Sequence, residues 1–260
     1  MNKYQLGKPK LQDQVAIVSG GGRGMGRADC QLLAAEGAIV ICCDKLGDNA
    51  ESVAREIREA GGRAEAFTLD ITRSADVRAM VAQVAQAHGR IDILVNNAGY
   101  DAIKPFVDTT EEEWDFLIDL NLKGQLLMTH AVLPHMIAAS HGKIVFISSD
   151  AARVGSTNEA VYAAAKAGLL GFTKTLAREV ARNNIRVNCI CPGVTNTPQL
   201  QRNLEDPVIG KIVRAIEKKV PLRRFGEPEE IAGAVLFFVS DQSSFITGQV
   251  LSVSGGLTMV

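Results

Sequence analysis

The chain alternates short, wholly apolar runs with longer stretches in which apolar residues recur at helical spacing. Val15-Ala16-Ile17-Val18 ends in Ser19 and a cluster of glycines. Helical spacing follows from about Gly24 to Glu36, and a second apolar run, Ile39 to Cys43, ends in Asp44. The rhythm repeats with a helix from about Asn49 to Ala60, a strand near Ala64 to Leu69 and a helix from Ser74 to His88. Ile91 to Val95 is the fourth strand and leads into Asn96-Asn97-Ala98-Gly99. Thr110 to Ala139 reads as a long helical region interrupted at Pro134, and Lys143 to Ile147 as a strand ending in Ser148-Ser149. Asn158 to Arg182 is helical, Arg186 to Ile190 is a strand ending in Pro192-Gly193, Glu227 to Val239 is helical, and Val250 to Val253 closes the series. Apolar runs of this kind, flanked by helices, suit strands buried on both faces and joined by helical crossovers. The pattern predicts an α/β chain: a doubly wound parallel sheet with helices on both faces, which binds ligands beyond the carboxyl ends of its strands.

Composition narrows the picture. The 260 residues suit one large domain, with no linker, repeat or low-complexity tract, and 47% are hydrophobic and 22% charged. A formal net charge of −1 gives no general pull toward nucleic acid. No apolar run approaches the roughly 20 residues of a membrane span, so neither nucleic acid nor membrane is an expected partner. The polar, lysine-bearing segment Met1 to Leu11 does not read as a secretory signal. Cys30, Cys42, Cys43, Cys189 and Cys191 lack metal or redox spacing and read as reduced, buried thiols in a cytoplasmic protein. The four histidines form no ligand pattern, so no metal is expected.

The candidate chemistry sits at the strand ends. Ser19-Gly20-Gly21-Gly22-Arg23-Gly24-Met25-Gly26 follows the first strand and opens a helix. Glycines let backbone approach a pyrophosphate, and the helix N-terminus adds free N–H groups and positive dipole. The plain alternative is a glycine-rich turn, but the strand-then-helix context fits a dinucleotide site. Asp44 ends the second strand, where a carboxylate can bind ribose hydroxyls and repel a 2′-phosphate; this favours NAD over NADP, although a cap or turn role would also suit it. Arg23 argues the other way, since a guanidinium can hold a phosphate. Asp70 ends the third strand and either caps the next helix or meets adenine.

Tyr162 and Lys166 stand four apart on one helix face. A tyrosine is a poor base at neutral pH unless a nearby ammonium lowers its pKa. Taken alone, such a pair is more often a solvated surface. Here Ser149 lies at the end of the preceding strand and Asn121 upstream. The glycine motif Gly20 to Gly26, Asn96-Asn97-Ala98-Gly99, Asn121, Ser149, Tyr162-x-x-x-Lys166 and Pro192-Gly193 together resemble the short-chain dehydrogenase/reductase family, over nearly the whole chain.

The resemblance implies a single-domain Rossmann fold that passes a hydride between NAD and a secondary alcohol or ketone. Tyr162 would be the general acid/base, Ser149 would hold the substrate oxygen, Lys166 would tune the tyrosine and orient a ribose, and Asn121 would hold a water that connects Lys166 to solvent. The implied cofactor set comprises Gly20, Gly22, Arg23, Gly24, Met25, Gly26, Asp44, Asp70, Ile71, Asn97, Ala98, Gly99, Tyr162, Lys166, Pro192, Gly193, Thr195 and Thr197. Thr195 stands where the family usually has an apolar residue. The family also implies a homotetramer and a substrate lid, here about 199–224. The stretches Gly99-Tyr100-Asp101 and Asp150 to Gly155 resemble family members that oxidise cyclic β-hydroxyacyl-CoA thioesters. Arg202, Lys211, Arg214, Lys218, Lys219, Arg223 and Arg224 could meet coenzyme A phosphates, although a solvated helix face explains most of them equally well. Arg153 could reach the thioester or a phosphate, or simply pack. The alternatives are a 3-oxoacyl thioester reductase, a simple alcohol or sugar dehydrogenase and, more remotely, an inactive cofactor-binding sensor or scaffold.

Overall fold

In the computed structural model, which describes residues 9–260, seven parallel strands form one sheet. The reading of the N-terminus as a non-signal segment falls partly on residues 1–8, outside the described residues. The strands are β1 (Val15–Ser19), β2 (Ile39–Asp44), β3 (Arg63–Thr68), β4 (Ile93–Asn96), β5 (Gly142–Ile147), β6 (Ile185–Pro192) and β7 (Val250–Val253). Their order is β3-β2-β1-β4-β5-β6-β7. The chain builds outward from β1 to one edge, returns, and builds outward to the other. A crevice therefore opens above the carboxyl ends of β1 and β4.

Helices fill the crossovers: α1 (Gly24–Ala35), α2 (Gly47–Glu59), α3 (Ser74–His88), α4 (Glu111–Ile118), α5 (Gly124–Ala139), the short α6 (Ala151–Val154) and α7 (Ala160–Val180). After β6 come α8 (Pro198–Glu205), α9 (Ile209–Glu217) and α10 (Pro228–Val239). The sheet is apolar on both faces because side chains alternate along each strand. Val15 and Ile17 of β1 join a core with Val81 of α3, Met128 of α5 and Leu169 of α7. Ala16 and Val18 point the other way, toward Leu33 of α1, Val53 of α2 and Val235 of α10. Burying each larger side chain contributes about 1.5–3 kcal/mol.

The long helical region departs from the sequence reading. Pro134 does not interrupt it: α5 runs on through the proline. Met128, Val132 and Met136 are fully buried against the sheet, and that burial offsets the hydrogen bond the proline cannot make. The break comes earlier, as a π-turn over Asp119–Lys123 that carries the fully buried Asn121. Asp29 in α1 has no exposed surface and no hydrogen-bond partner on either carboxylate oxygen. Burial pushes its pKa up to about 8. The five cysteines are buried and none is disulfide-bonded. No helix among the described residues is long and apolar enough to cross a membrane.

Candidate active site

The glycine loop is joined to the neighbouring strand end by Ser19. Its hydroxyl accepts from the backbone N–H groups of Asn97 at 3.1 Å and Ala98 at 3.2 Å. Asn97 returns the link, donating from Nδ2 to the carbonyls of Ser19 and Gly20 at 3.1 and 3.0 Å. Gly20 (φ +66°) and Gly24 (φ +55°) take left-handed backbone that a side chain would strain. A Cβ on Gly26 would overlap the Gly20 carbonyl, so this glycine lets α1 start directly beneath the loop. Arg23 caps α1 without a side-chain bond, which leaves the first-turn N–H groups to face a ligand.

Above the loop lies a cleft of about 490 Å³. Gly20, Arg23, Gly24, Met25, Asp44, Asp70, Ile71, Asn97, Ala98, Gly99 and Thr197 line it, as do Tyr100 and Phe116, whose rings meet edge to face. The backbone cradle, the open helix start and a cleft of this volume fit a dinucleotide. Asp44 stands at the rim with its carboxylate accepting from Gly22 N–H at 3.0 Å and Leu46 N–H at 2.9 Å. The turn role and the cleft-lining role thus coexist in one residue. Asp70 does not cap α3: its oxygens take Thr72 and an ion pair with Lys45 at 2.8 Å, because the chain turns at Thr72 before α3 begins.

Other expected cofactor residues lie off the cleft wall. Gly22 is wedged against Asp44 and Asn49. Gly193 packs on Ser254 and donates its N–H to Val253, while the Pro192 carbonyl accepts from Asp150 N–H. Thr195 is buried and turns its hydroxyl back to the Gly193 carbonyl at 3.1 Å, since the 193–195 segment bridges to Gly226. Thr197 caps α8, and its methyl would lie 3.4 Å from a Cβ on Gly24 across the cleft mouth.

Behind Gly99 on the cleft wall the structure gathers Asn121, Ser149, Tyr162 and Lys166. The two serines that end β5 face opposite ways. Ser148 is buried and donates to the Lys166 carbonyl at 2.9 Å, whereas Ser149 lies within hydrogen-bonding reach of the Tyr162 hydroxyl. The buried Lys166 ammonium donates to the Ile147 carbonyl at 2.8 Å and lies 5.8 Å from the Tyr162 ring centre. Burial brings its pKa down to about 8. Tyr162 is not lowered as expected: burial, then the charge of Asp101, holds it above the usual tyrosine value, against a smaller opposing effect of the Ser149 bond. The Asn121 side chain is fully buried. The π-turn lets it clamp Tyr100, accepting the N–H at 3.1 Å and donating to the carbonyl at 2.8 Å. Gly99 fits between this clamp and Lys166, since a Cβ there would stand 2.8 Å from Asn121 Oδ1 and 3.0 Å from Lys166 Nζ.

Arg153 does not reach the cleft but donates to Ser252 at 2.9 Å, and Ser252 in turn donates to Asp150 at 2.5 Å. Three of the cations in 199–224 are engaged within the chain: Arg214 with the Leu204 carbonyl, Arg223 with the Lys218 carbonyl and Arg224 with Glu230. Among the described residues no group of three His, Cys, Asp or Glu could hold a metal. Sequence reasoning assigned nothing to Asp101 and Glu159, two carboxyl groups beside Tyr162. The one available signal was the charge of Asp101 immediately after the Asn97-to-Tyr100 segment.

The comparisons agree with this geometry. A family profile described as Enoyl-(Acyl carrier protein) reductase matches residues 20–258. The chain is 40% identical over 250 residues to the 3-oxoacyl-[acyl-carrier-protein] reductase FabG of Thermotoga maritima, covering 96% of this chain and 100% of that protein. It is 39% identical over 249 residues to the (2S)-[(R)-hydroxy(phenyl)methyl]succinyl-CoA dehydrogenase subunit BbsD of Thauera aromatica, covering 96% and 98%. The crystal structure of levodione reductase superposes with a TM-score of 0.91 at 33% identity, covering 95% of this chain and 98% of that one. The chain therefore belongs to the short-chain dehydrogenase/reductase family of nicotinamide-dependent oxidoreductases.

Proposed function

We propose that this protein is an NAD-dependent dehydrogenase of a cyclic β-hydroxyacyl-CoA, which it oxidises to the β-keto thioester. The observation that carries the reaction class is the convergence of Ser149, Tyr162 and Lys166 behind Gly99, which lines a dinucleotide-sized cleft. Gly20, Gly24 and Met25 would hold the phosphates, Asp44 the adenosine ribose, Asp70 and Ile71 the adenine, and Asn97, Ala98 and Gly99 the inner wall. When bound, the nicotinamide supplies or accepts the hydride. Tyr162 takes the alcohol proton in oxidation and returns it in reduction. Ser149 donates to the substrate oxygen and stabilises the charge that develops there. Lys166 fixes a ribose and offers positive charge to the phenolate. The Asp44 carboxylate favours NAD by repelling a 2′-phosphate.

The substrate reading rests on the CoA thioester named for BbsD and on the segment 199–224. There Leu200 and Val213 are buried while Arg202, Lys211, Lys218 and Lys219 are exposed, so an apolar underside carries cations on its rim. As a lid it would exclude water from the ring, and binding energy from the CoA would orient the reacting carbon. The test compares kcat/KM for a cyclic β-hydroxyacyl-CoA, its free acid and a simple cyclic alcohol. A marked advantage for the thioester is expected; equal performance by the free acid or the alcohol would refute CoA recognition. A second reading, reduction of a 3-oxoacyl thioester, is favoured by the likeness to FabG and by the raised pKa of Tyr162, which keeps a proton ready to donate. The assembly is proposed as a cytoplasmic homotetramer. Phe116, Ile118 and Ile137 on α4 and α5, and Phe245 and Leu251 near the β7 edge, are exposed apolar residues suited to subunit contacts. Light scattering that gives a stable monomer at micromolar concentration would refute the tetramer.

A further inference from the structure

Asp101 occupies an unusual place beside the reacting tyrosine. Asn121 grips the preceding residue, Tyr100, and Gln199 of α8 donates to the Asp101 carbonyl at 3.0 Å, so its backbone is fixed from two sides. Its Oδ1 is shut off from water and has no hydrogen-bond donor. Within hydrogen-bonding reach of its carboxyl lie a second carboxyl, that of Glu159, and, with a smaller and opposite effect, the Ala102 backbone N–H. Glu159 is brought there by Asn158, whose left-handed backbone (φ +68°) precedes α7 and whose carbonyl accepts from Lys104 N–H at 2.8 Å. Two carboxyl groups can approach this closely only by sharing a proton.

We propose that Asp101 and Glu159 form a proton-sharing carboxyl pair that acts through Tyr162 as positioning residues and sets the pH at which the enzyme oxidises its alcohol. The inference rests on the reading of Tyr162 as the acid/base. The charged and titratable groups facing Tyr162 are Asp101 from the loop after β4, Glu159 and Lys166 from α7, and Cys191 from β6. Lys104 and Glu113, which line a small pocket together with Glu159 and Tyr162, neutralise each other through an ion pair at 2.9 Å. The pair therefore opposes phenolate formation with more negative charge than the Cys191 thiol, whose effect is smaller. Burial and the neighbouring Glu159 raise the Asp101 carboxyl to about 8, so one proton stays on the pair at neutral pH. Its loss on the alkaline side adds negative charge next to Tyr162 just where oxidation needs the phenolate.

Two measurements test this. The infrared difference spectrum of wild type minus Asp101→Asn should show a protonated carboxyl band at neutral pH that disappears as pH rises through about 8; the difference cancels the buried acid Asp29. In the second, the pH profile of NAD-linked oxidation of whichever alcohol in the substrate comparison above turns over fastest should move toward acid by about one pH unit in Asp101→Asn. Glu159→Gln should move it the same way, and Asp101→Glu should restore the wild-type profile. Absence of the carboxyl band, or profiles that coincide for wild type, Asp101→Asn and Glu159→Gln, would overturn the proposal. Tyr162→Phe separates the two readings. If that variant is inactive while the profiles coincide, only the pair is wrong; if it keeps wild-type turnover, the acid/base reading itself falls.

Discussion

Asp29→Asn should make this protein markedly more stable at neutral and alkaline pH. In the folded chain the Asp29 carboxyl is sealed in α1 with neither oxygen bonded, and burial lifts its pKa from 3.8 to about 8. Below about pH 4 the acid is protonated whether the chain is folded or not, and its titration contributes nothing to stability. Above that, the unfolded chain releases the proton while the folded chain keeps it. Stability therefore falls as pH rises, by about 1.4 kcal/mol per unit, until the folded pKa near 8 is passed. By pH 7 the accumulated loss is about 4 kcal/mol, a large part of a typical folding free energy. Asparagine has the same shape, is neutral at every pH and leaves the site equally short of partners. Urea unfolding at fixed protein concentration should give similar midpoints for the two proteins near pH 4 and an increasing advantage for Asp29→Asn toward pH 8. At pH 7 the gap corresponds to roughly 8–16 °C in Tm for a chain of this size. Stability curves that run parallel from acid to alkali would refute the argument, because they would mean that Asp29 ionises freely in the folded protein.

Tyr162→Phe should abolish turnover while NAD affinity, followed by NADH fluorescence, stays near wild type; Lys166→Ala should damage both, since on the proposed mechanism its ammonium serves the phenol and a ribose. Asp44→Ala should narrow the preference for NAD over NADP in steady-state kinetics, with Arg23 then free to help hold the 2′-phosphate, and a wild-type preference for NADPH would reverse this ranking of the two residues. Gly26→Ala should weaken dinucleotide binding by at least tenfold, because the added methyl overlaps the Gly20 carbonyl and forces the loop away from α1; unchanged affinity in a calorimetric titration would contradict that contact.

The strands were legible because parallel strands buried on both faces must be continuously apolar. Their observed ends fall within two residues of the pattern: β4, for example, starts at Ile93, two residues after the apolar run begins at Ile91. The glycine loop, Asp44 and the Tyr162–Lys166 spacing were legible because they depend on local geometry, a turn or one helix face. The π-turn was not, since a single widened turn leaves apolar spacing nearly unchanged. Pro134 misled because propensity carries no information about the packing that overrides it. Asp101 and Glu159 were invisible as a pair, being brought together only when the loop after β4 folds against the start of α7.

The bond from Gln199 to the Asp101 carbonyl has a consequence for remodelling the enzyme. A main-chain carbonyl is present whatever residue stands at 101, so this attachment survives any change of side chain there. The α8–α9 hairpin could thus be exchanged for that of a relative, provided the glutamine is kept at the start of α8, and it would still dock on the same loop. Chimeras built this way would vary what enters above the ring while Ser149, Tyr162 and Lys166, held by β5 and α7, stay where they are. Appetite for different alcohols and competence to oxidise them would then become separable traits, each open to selection without disturbing the other.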